Sequence, residues 1–332
     1  MMKVISVILF LYFLVACPCM AQYDNYVEAL AAKNIVGRMK LRTGNEVVVI
    51  HSVKKKRLLE PLSSILKEKG NAYRIFPLTS DSESIVSLTN LIKHSPERVR
   101  FIFLIDSVDS QFMFDNVGDP DKGYKIPAHR FSCDWLIPED QFIRLHSIDL
   151  HENRMYQQKL LAKLNSPSVV HITTDAGTNI RFRARSWIVD SGKIFCIPHE
   201  TETHGVIVVD GYARKGPPAQ PVKLKVKYGR VTNTGELSEK DEHQQMLKKD
   251  FLTDNNASVM GEVGIGTNKN ARTNTDVTES GQVRGTCYFG FGMNLNYGGK
   301  IESSKQFDLV ILNPTITIND NVLYDKGKMI EL

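Results

Sequence analysis

The 332-residue chain has only five cysteines and no CxxC pair, which excludes a zinc ribbon and a disulfide framework. Two of them, Cys17 and Cys19, fall in a leader. The other three, Cys133, Cys196 and Cys287, are read as buried or singly free thiols. Long charge runs are also absent. The formal net charge is +5 and the longest basic tract is Lys54-Lys55-Lys56-Arg57, read as a solvated helix start, so no nucleic-acid partner is expected. No apolar run reaches the roughly 20 residues of a membrane span, and there is no internal repeat or low-complexity segment. A chain of this length and 42% hydrophobic content can build two domains with sizeable cores.

The first segment is an address. Lys3 precedes an apolar run from Val4 to Ala16 and then small residues, the anatomy of a secretory signal over residues 1–21. Two processing routes fit. Leu14-Val15-Ala16-Cys17 reads as a lipoprotein box over 14–17, which would acylate Cys17 and tether the chain to a membrane. Cleavage after Ala21, leaving Gln22, is the ordinary alternative. Both predict an exported protein: periplasmic, extracellular or lipid-anchored at the cell envelope.

Residues 22–166 alternate helical and strand patterns. A helical segment begins near Tyr26. Strands are expected at Glu46–His51, Tyr73–Pro77 and Val99–Asp106, with helices at 56–69 and 80–94. Apolar strands alternating with helices predict an α/β domain with a mostly parallel sheet. Asp106, at the end of its strand, is a candidate ligand-facing acid or a turn residue. Residues 140–164 read as mainly one helix, ended by Pro167, and a domain boundary is placed there.

Residues 167–332 are strand-rich and predict a second, β-rich α+β domain. Val169–Thr173 and Asn179–Trp187 flank Asp175-Ala176-Gly177-Thr178, a hairpin turn. In the second strand Arg181, Arg183 and Arg185 alternate with smaller or apolar residues and so share one face. That face is either solvated or a basic wall for a ligand carboxylate. His199-Glu200-Thr201-Glu202-Thr203-His204 puts two imidazoles in a short loop, a candidate for metal binding only if the loop turns.

Gly261–Ile311 holds nine of the 22 glycines, a density that implies turns and close backbone approach. Three pieces stand out: Gly261-Glu262-Val263-Gly264-Ile265-Gly266-Thr267-Asn268, Gly285-Thr286-Cys287-Tyr288-Phe289-Gly290-Phe291-Gly292, and Ser303-Ser304-Lys305-Gln306-Phe307-Asp308-Leu309-Val310-Ile311. Their order resembles the C-terminal domain of the M29 metallo-aminopeptidases, and is similar to that of the dihydroxypyridine dioxygenases that share the fold. Upstream, Ser191-Gly192-Lys193-Ile194-Phe195-Cys196-Ile197-Pro198 resembles a further piece of the same family.

The resemblance implies five metal-ligand positions. Here they read Lys193, Glu262, Tyr288, Gln306 and Asp308. Glu262 and Asp308 keep an acid, whereas Lys193 reverses the charge and cannot donate a lone pair as an ammonium. The expectation is a degenerate M29-like protein with no metal cofactor. It would bind a peptide or small molecule in the ancestral groove through these five residues and the arginine face. Two alternatives stay open. One is an active aminopeptidase using a divalent metal such as zinc, with ligands rearranged to His199 and His204 beside Glu262 and Asp308. The other is a structural or partner-binding surface protein. A homo-oligomer is compatible with either.

Overall fold

The computed structural model describes residues 26–79, 81–105, 131–133, 137–164, 167–273 and 276–330. The segment read as a leader, with Cys17, and Asp106 lie outside the described residues. Contacts divide the chain into two compact units that meet in sequence between Ile148 and Asp149.

The first unit runs α1 (26–38), β1 (Glu46–Ser52), α2 (Leu59–Glu68), β2 (Ala72–Leu78), α3 (Ser82–His94), β3 (Val99–Leu104), β4 (Phe131–Cys133) and α4 (Glu139–His146). Its four described strands are parallel in the order β2-β1-β3-β4. β1 and β3 are buried along nearly their whole length, as strands covered on both faces must be. Asp81 caps α3 by accepting from the Ser84 amide at 2.8 Å. One local expectation fails. Lys55 is buried, not solvated, and α2 starts only at Leu59. Its ammonium donates to the Ile105 and Ile137 carbonyls at 2.6 and 2.8 Å, which satisfies a charge that burial would otherwise penalise.

The expected helix over 140–164 is two helices. Asp149 interrupts it and caps α5 (Leu150–Leu161), accepting from the His151 and Glu152 amides at 2.9 and 3.0 Å. α5 then belongs with the second unit, so the division falls before the helix rather than at Pro167. Its Asn153 donates to the Ser191 carbonyl, Gln157 to the Asp190 carbonyl and the Thr267 hydroxyl, and Tyr156 shares a 2.6 Å hydrogen bond with Tyr324.

The second unit is a large antiparallel sheet. Its strands are β5 (Ser168–Thr173), β6 (Asn179–Val189), β7 (Lys193–Pro198), β8 (His204–Val209), β9 (Tyr212–Ala213), β10 (Val222–Lys227), β11 (Arg230–Val231), β12 (Met260–Gly266), β13 (Cys287–Gly292), β14 (Gln306–Ile311), β15 (Thr315–Ile318), β16 (Asn321–Asp325) and β17 (Lys328–Met329). The main order is β17-β16-β15-β5-β6-β7-β12-β13-β14-β9, and β8 links β6 to β10, which pairs β11. The β5–β6 hairpin forms as expected, with Thr173 opposite Asn179. A helix α6 (Glu242–Phe251) lies between β11 and β12.

Alternation sorts this sheet into two faces. Val263, Ile265, Cys287, Phe289, Phe291, Phe307 and Leu309 point into the main core, with Leu160 of α5 and with Leu247 and Phe251 of α6. Residues between them point the other way, where Phe195, Tyr212, Tyr288 and Val310 form a small separate cluster. The candidate site lies on that second face.

Candidate functional site

Three neighbouring strands set the site. A bulge after Met260 puts Glu262 of β12 opposite Gly290 of β13, and Gly290 is opposite Asp308 of β14. Two carboxylates therefore flank a residue with no side chain. A Cβ at Gly290 would overlap the Glu262 Cγ and stand 2.8 Å from the Asp308 Oδ1, so glycine here is what lets the acids converge. The next row repeats the device. Gly264 pairs with Tyr288 on one side and Phe195 on the other, and the Tyr288 ring lies in the space a Gly264 side chain would take.

Lys193 starts β7, opposite Gly266. Its stem runs along the sheet over two rings, with the ammonium 4.6 Å from the Tyr288 centroid and 5.3 Å from that of Phe195. It ends 3.8 Å from the Glu262 Oε1. Tyr297 closes edge-on against Phe195 at 5.1 Å.

The electrostatics are those of an under-compensated acid pair. Burial pushes the Glu262 carboxyl up, the Asp308 charge adds to this, and Lys193 opposes it; the result is about 7. Burial likewise raises Asp308, again opposed by Lys193. Near neutral pH the Glu262 carboxyl is therefore only partly ionised, and the two acids titrate as a pair. Tyr288 is held in its neutral form by burial and by both acids. Asp308 is half-buried as a residue, yet its Oδ1 is shut off from solvent. That oxygen, the Glu262 Oε2 and the Tyr288 hydroxyl are buried without a hydrogen-bond partner among the described residues. The hydroxyl and the Glu262 carboxyl are close enough to act on one another's titration.

This set does not suit a divalent cation. Metal ligands must be deprotonated, but the Tyr288 proton is held more tightly than usual and the Lys193 ammonium takes its place against one of the two acids. Among the described residues no three His, Cys, Asp or Glu side chains converge as a metal site would require.

The other sequence candidates lie elsewhere. Gln306 is exposed at the start of β14, opposite Gly292, on the same face as Asp308 but outside the buried cluster. Arg183 pairs with Glu202 at 2.7 Å, and Arg185 reaches the His199 Nδ1 at 3.4 Å. Both are near the Pro198 end of β7, the end at which Glu262 also stands, since Val263 is opposite Cys196. The arginines are nevertheless engaged by Glu202 and His199. The His204 ring is engaged by the Tyr228 amide at 3.3 Å and by the Thr201 carbonyl at 3.2 Å. The turn at Glu200–Glu202 does not bring His199 and His204 onto one ion.

Two supporting features were not anticipated. One is the pairing of Gly264 and Gly290 with the side chains they admit. Its signal was present, because glycine alternates with apolar residues in both Gly264-Ile265-Gly266 and Phe289-Gly290-Phe291-Gly292. The other is Asp254, which accepts from the Ser303 hydroxyl and from the Ser304 hydroxyl and amide, all at 2.8–3.0 Å. These bonds hold its carboxyl well below the usual range and fix the loop that delivers β14.

Known proteins place the architecture. No family model matches the chain and no curated protein sequence matches it. Solved structures do. AmpT of Thermus thermophilus, an M29 aminopeptidase, superposes with a TM-score of 0.61 over 93% of this chain and 100% of its own, at 13% identity. The chain has an aminopeptidase-like fold. The 2,5-dihydroxypyridine dioxygenase of Pseudomonas putida KT2440 is similar to the same degree: TM-score 0.61, 92% of this chain, 97% of that one, 12% identity. At such identities the likeness concerns the fold alone, and one fold carries different chemistries.

Proposed function

We propose that this aminopeptidase-like chain is a binding protein, not a metallo-hydrolase, and that it takes a peptide or small molecule at the face formed by Lys193, Glu262, Tyr288 and Asp308. The observation that carries this reading is the Lys193 ammonium, 3.8 Å from Glu262. Metal-dependent hydrolysis needs a cation that activates water and polarises the scissile carbonyl. A fixed ammonium supplies charge but no open coordination position. The Glu262 and Asp308 oxygens and the Tyr288 hydroxyl are buried without partners, and a ligand that displaces the side chains covering them would satisfy them, beside the aromatic surface of Tyr288 and Phe195.

The test uses the full chain purified without chelator. Zinc, cobalt, manganese and iron should be well below one per chain, and aminoacyl-p-nitroanilides should not be turned over after dialysis against these metals. A panel of short peptides should raise the melting temperature, and Glu262→Ala should abolish the shift. Metal-dependent turnover that Glu262→Ala or Asp308→Ala removes would overturn the proposal. Dependence on His199 and His204 instead would point to the rearranged metal site. A panel with no stabilising member would overturn the binding half.

A further inference from the structure

The second unit carries a cationic lattice on the face turned away from its main core. Five strands each contribute one residue to a single row. His171 of β5 pairs with Arg181 of β6, and Arg181 with His204 of β8. Gly205 is opposite Val226, so the preceding His204 stands beside Lys227 of β10. Lys227 is opposite Arg230 of β11. With strands about 4.8 Å apart the row spans roughly 19 Å. Along β10, alternation with the buried Val222, Leu224 and Val226 puts Lys223 and Lys225 on the same face as Lys227.

Lys227 and Arg230 face one another, and like charges on facing positions of a sheet are destabilising. His204 is not one of the cations, because its Nδ1 accepts from the Tyr228 amide, and little on this face relieves the rest. Lys225 has Glu236 at 2.8 Å and Arg183 has Glu202. Arg230 donates to the Ser258 hydroxyl at 3.0 Å and to the Asn255 carbonyl, neither of them an anion. Arg181, Lys223 and Lys227 are exposed and have no acidic partner among the described residues. Tyr228, 61% exposed, stands among them, edge-on to His204 at 4.8 Å and 5.6 Å from the Lys227 ammonium.

We infer that this face docks on an anionic membrane surface, with lipid headgroups as the missing counter-charges. The cations spread in two directions, across the strands and along β10, which suits a plane of anions. A single acidic peptide or nucleic-acid strand is instead tracked by one line of cations in a groove. Lysine and arginine near an anionic bilayer each add to binding, and an exposed tyrosine suits the headgroup level. The attraction acts over about a Debye length and weakens with salt.

The test is co-sedimentation of the full chain with vesicles of phosphatidylcholine alone or mixed with phosphatidylglycerol, at low and high salt. Binding should require phosphatidylglycerol and be lost at high salt. The double variant Arg181→Gln, Lys227→Gln should bind about 25-fold more weakly, from roughly fivefold per cation removed. Lys223→Gln alone should weaken binding about fivefold. Lys159→Gln with Lys328→Gln removes two exposed cations from a cleft between α5 and β17 and should bind as the parent does. Circular dichroism checks that each variant is folded. Equal sedimentation with neutral vesicles, or parent-like binding by the double variant, would overturn the inference. So would binding to polyglutamate or DNA without binding to vesicles, which would assign the face to an acidic chain.

Discussion

Lys193 reaches Glu262 along the sheet rather than straight across it: its backbone is opposite Gly266, four residues from Glu262, yet the two charges end 3.8 Å apart. The stems can lean together because Gly264 leaves the space between them to the Tyr288 ring. The ammonium is therefore held at a chosen point and is not a drifting surface charge. Its side chain is 22% exposed and that of Glu262 only 4%.

Lys193→Ala removes the cation that stands beside the two acids. Breaking such a pair from one side costs about 3 kcal/mol or more. The loss should be largest above pH 7 and should shrink near pH 4, where both acids take up protons without a partner. Urea denaturation of parent and variant at both pH values checks this. An unchanged midpoint at pH 8 would mean that the ammonium does not compensate the acids.

Glu262→Gln should act in the opposite direction. The folded carboxyl titrates at about 7, against an ordinary value of 4.5. Between those values the folded state binds more protons than the unfolded one, so stability falls as pH rises through the window. The full effect is about 3 kcal/mol. An amide that cannot ionise escapes this loss. The variant should melt higher than the parent at pH 8 and close to it at pH 5, and its pH dependence should flatten. A parallel pH profile would place the titrating group elsewhere.

Gly290→Ala should cost about 1–3 kcal/mol through overpacking, because the new methyl meets both Glu262 and Asp308. The mechanism is separable from a backbone effect. In a Glu262→Ala background much of the clash is gone, so the second substitution should cost less. A double-mutant cycle measured by denaturation gives that coupling. Additive costs would show that the acids are not what the glycine accommodates.

Asp254→Ala should free the Ser303–Ser304 loop. Hydrogen exchange at the Ser304 amide, which donates to Asp254 at 2.8 Å, should accelerate, and the first residues of β14 should follow. The Asp254 carboxyl is depressed in the folded state. Its contribution is therefore present above the ordinary carboxylate range and fades as the pH falls towards the folded value. Unaltered exchange at Ser304 would show that the loop is held by other contacts.

The sequence was most legible where local pattern and burial agree. β1, β3 and the β5–β6 hairpin could be placed within a residue or two because apolar runs and a turn mark them directly. The break at Asp149 was hidden because leucines and isoleucines on both sides continue one apolar face, while the interruption depends on a single capping carboxylate. Lys55 was misjudged for a related reason. A basic tract reads as solvated, and only the fold supplies the two carbonyls that bury one of its lysines. At the site, the acids and Lys193 could be selected from motif order. Which of them meet depends on cross-strand register and on the bulge after Met260. The arginine row shows the limit clearly. Alternation placed three guanidiniums on one face correctly, but nothing local told that two of them meet Glu202 and His199.

Cys196 and Cys287 point into the main core from β7 and β13, both fully buried and unpaired, and burial pushes both thiols well above their usual range. A thiol reacts as its thiolate and only when reached. In the native protein these two are closed to alkylating reagents on both counts. Each labelling event at either position therefore records one opening of the β-rich unit, and the rate of modification read peptide by peptide becomes a clock for its unfolding.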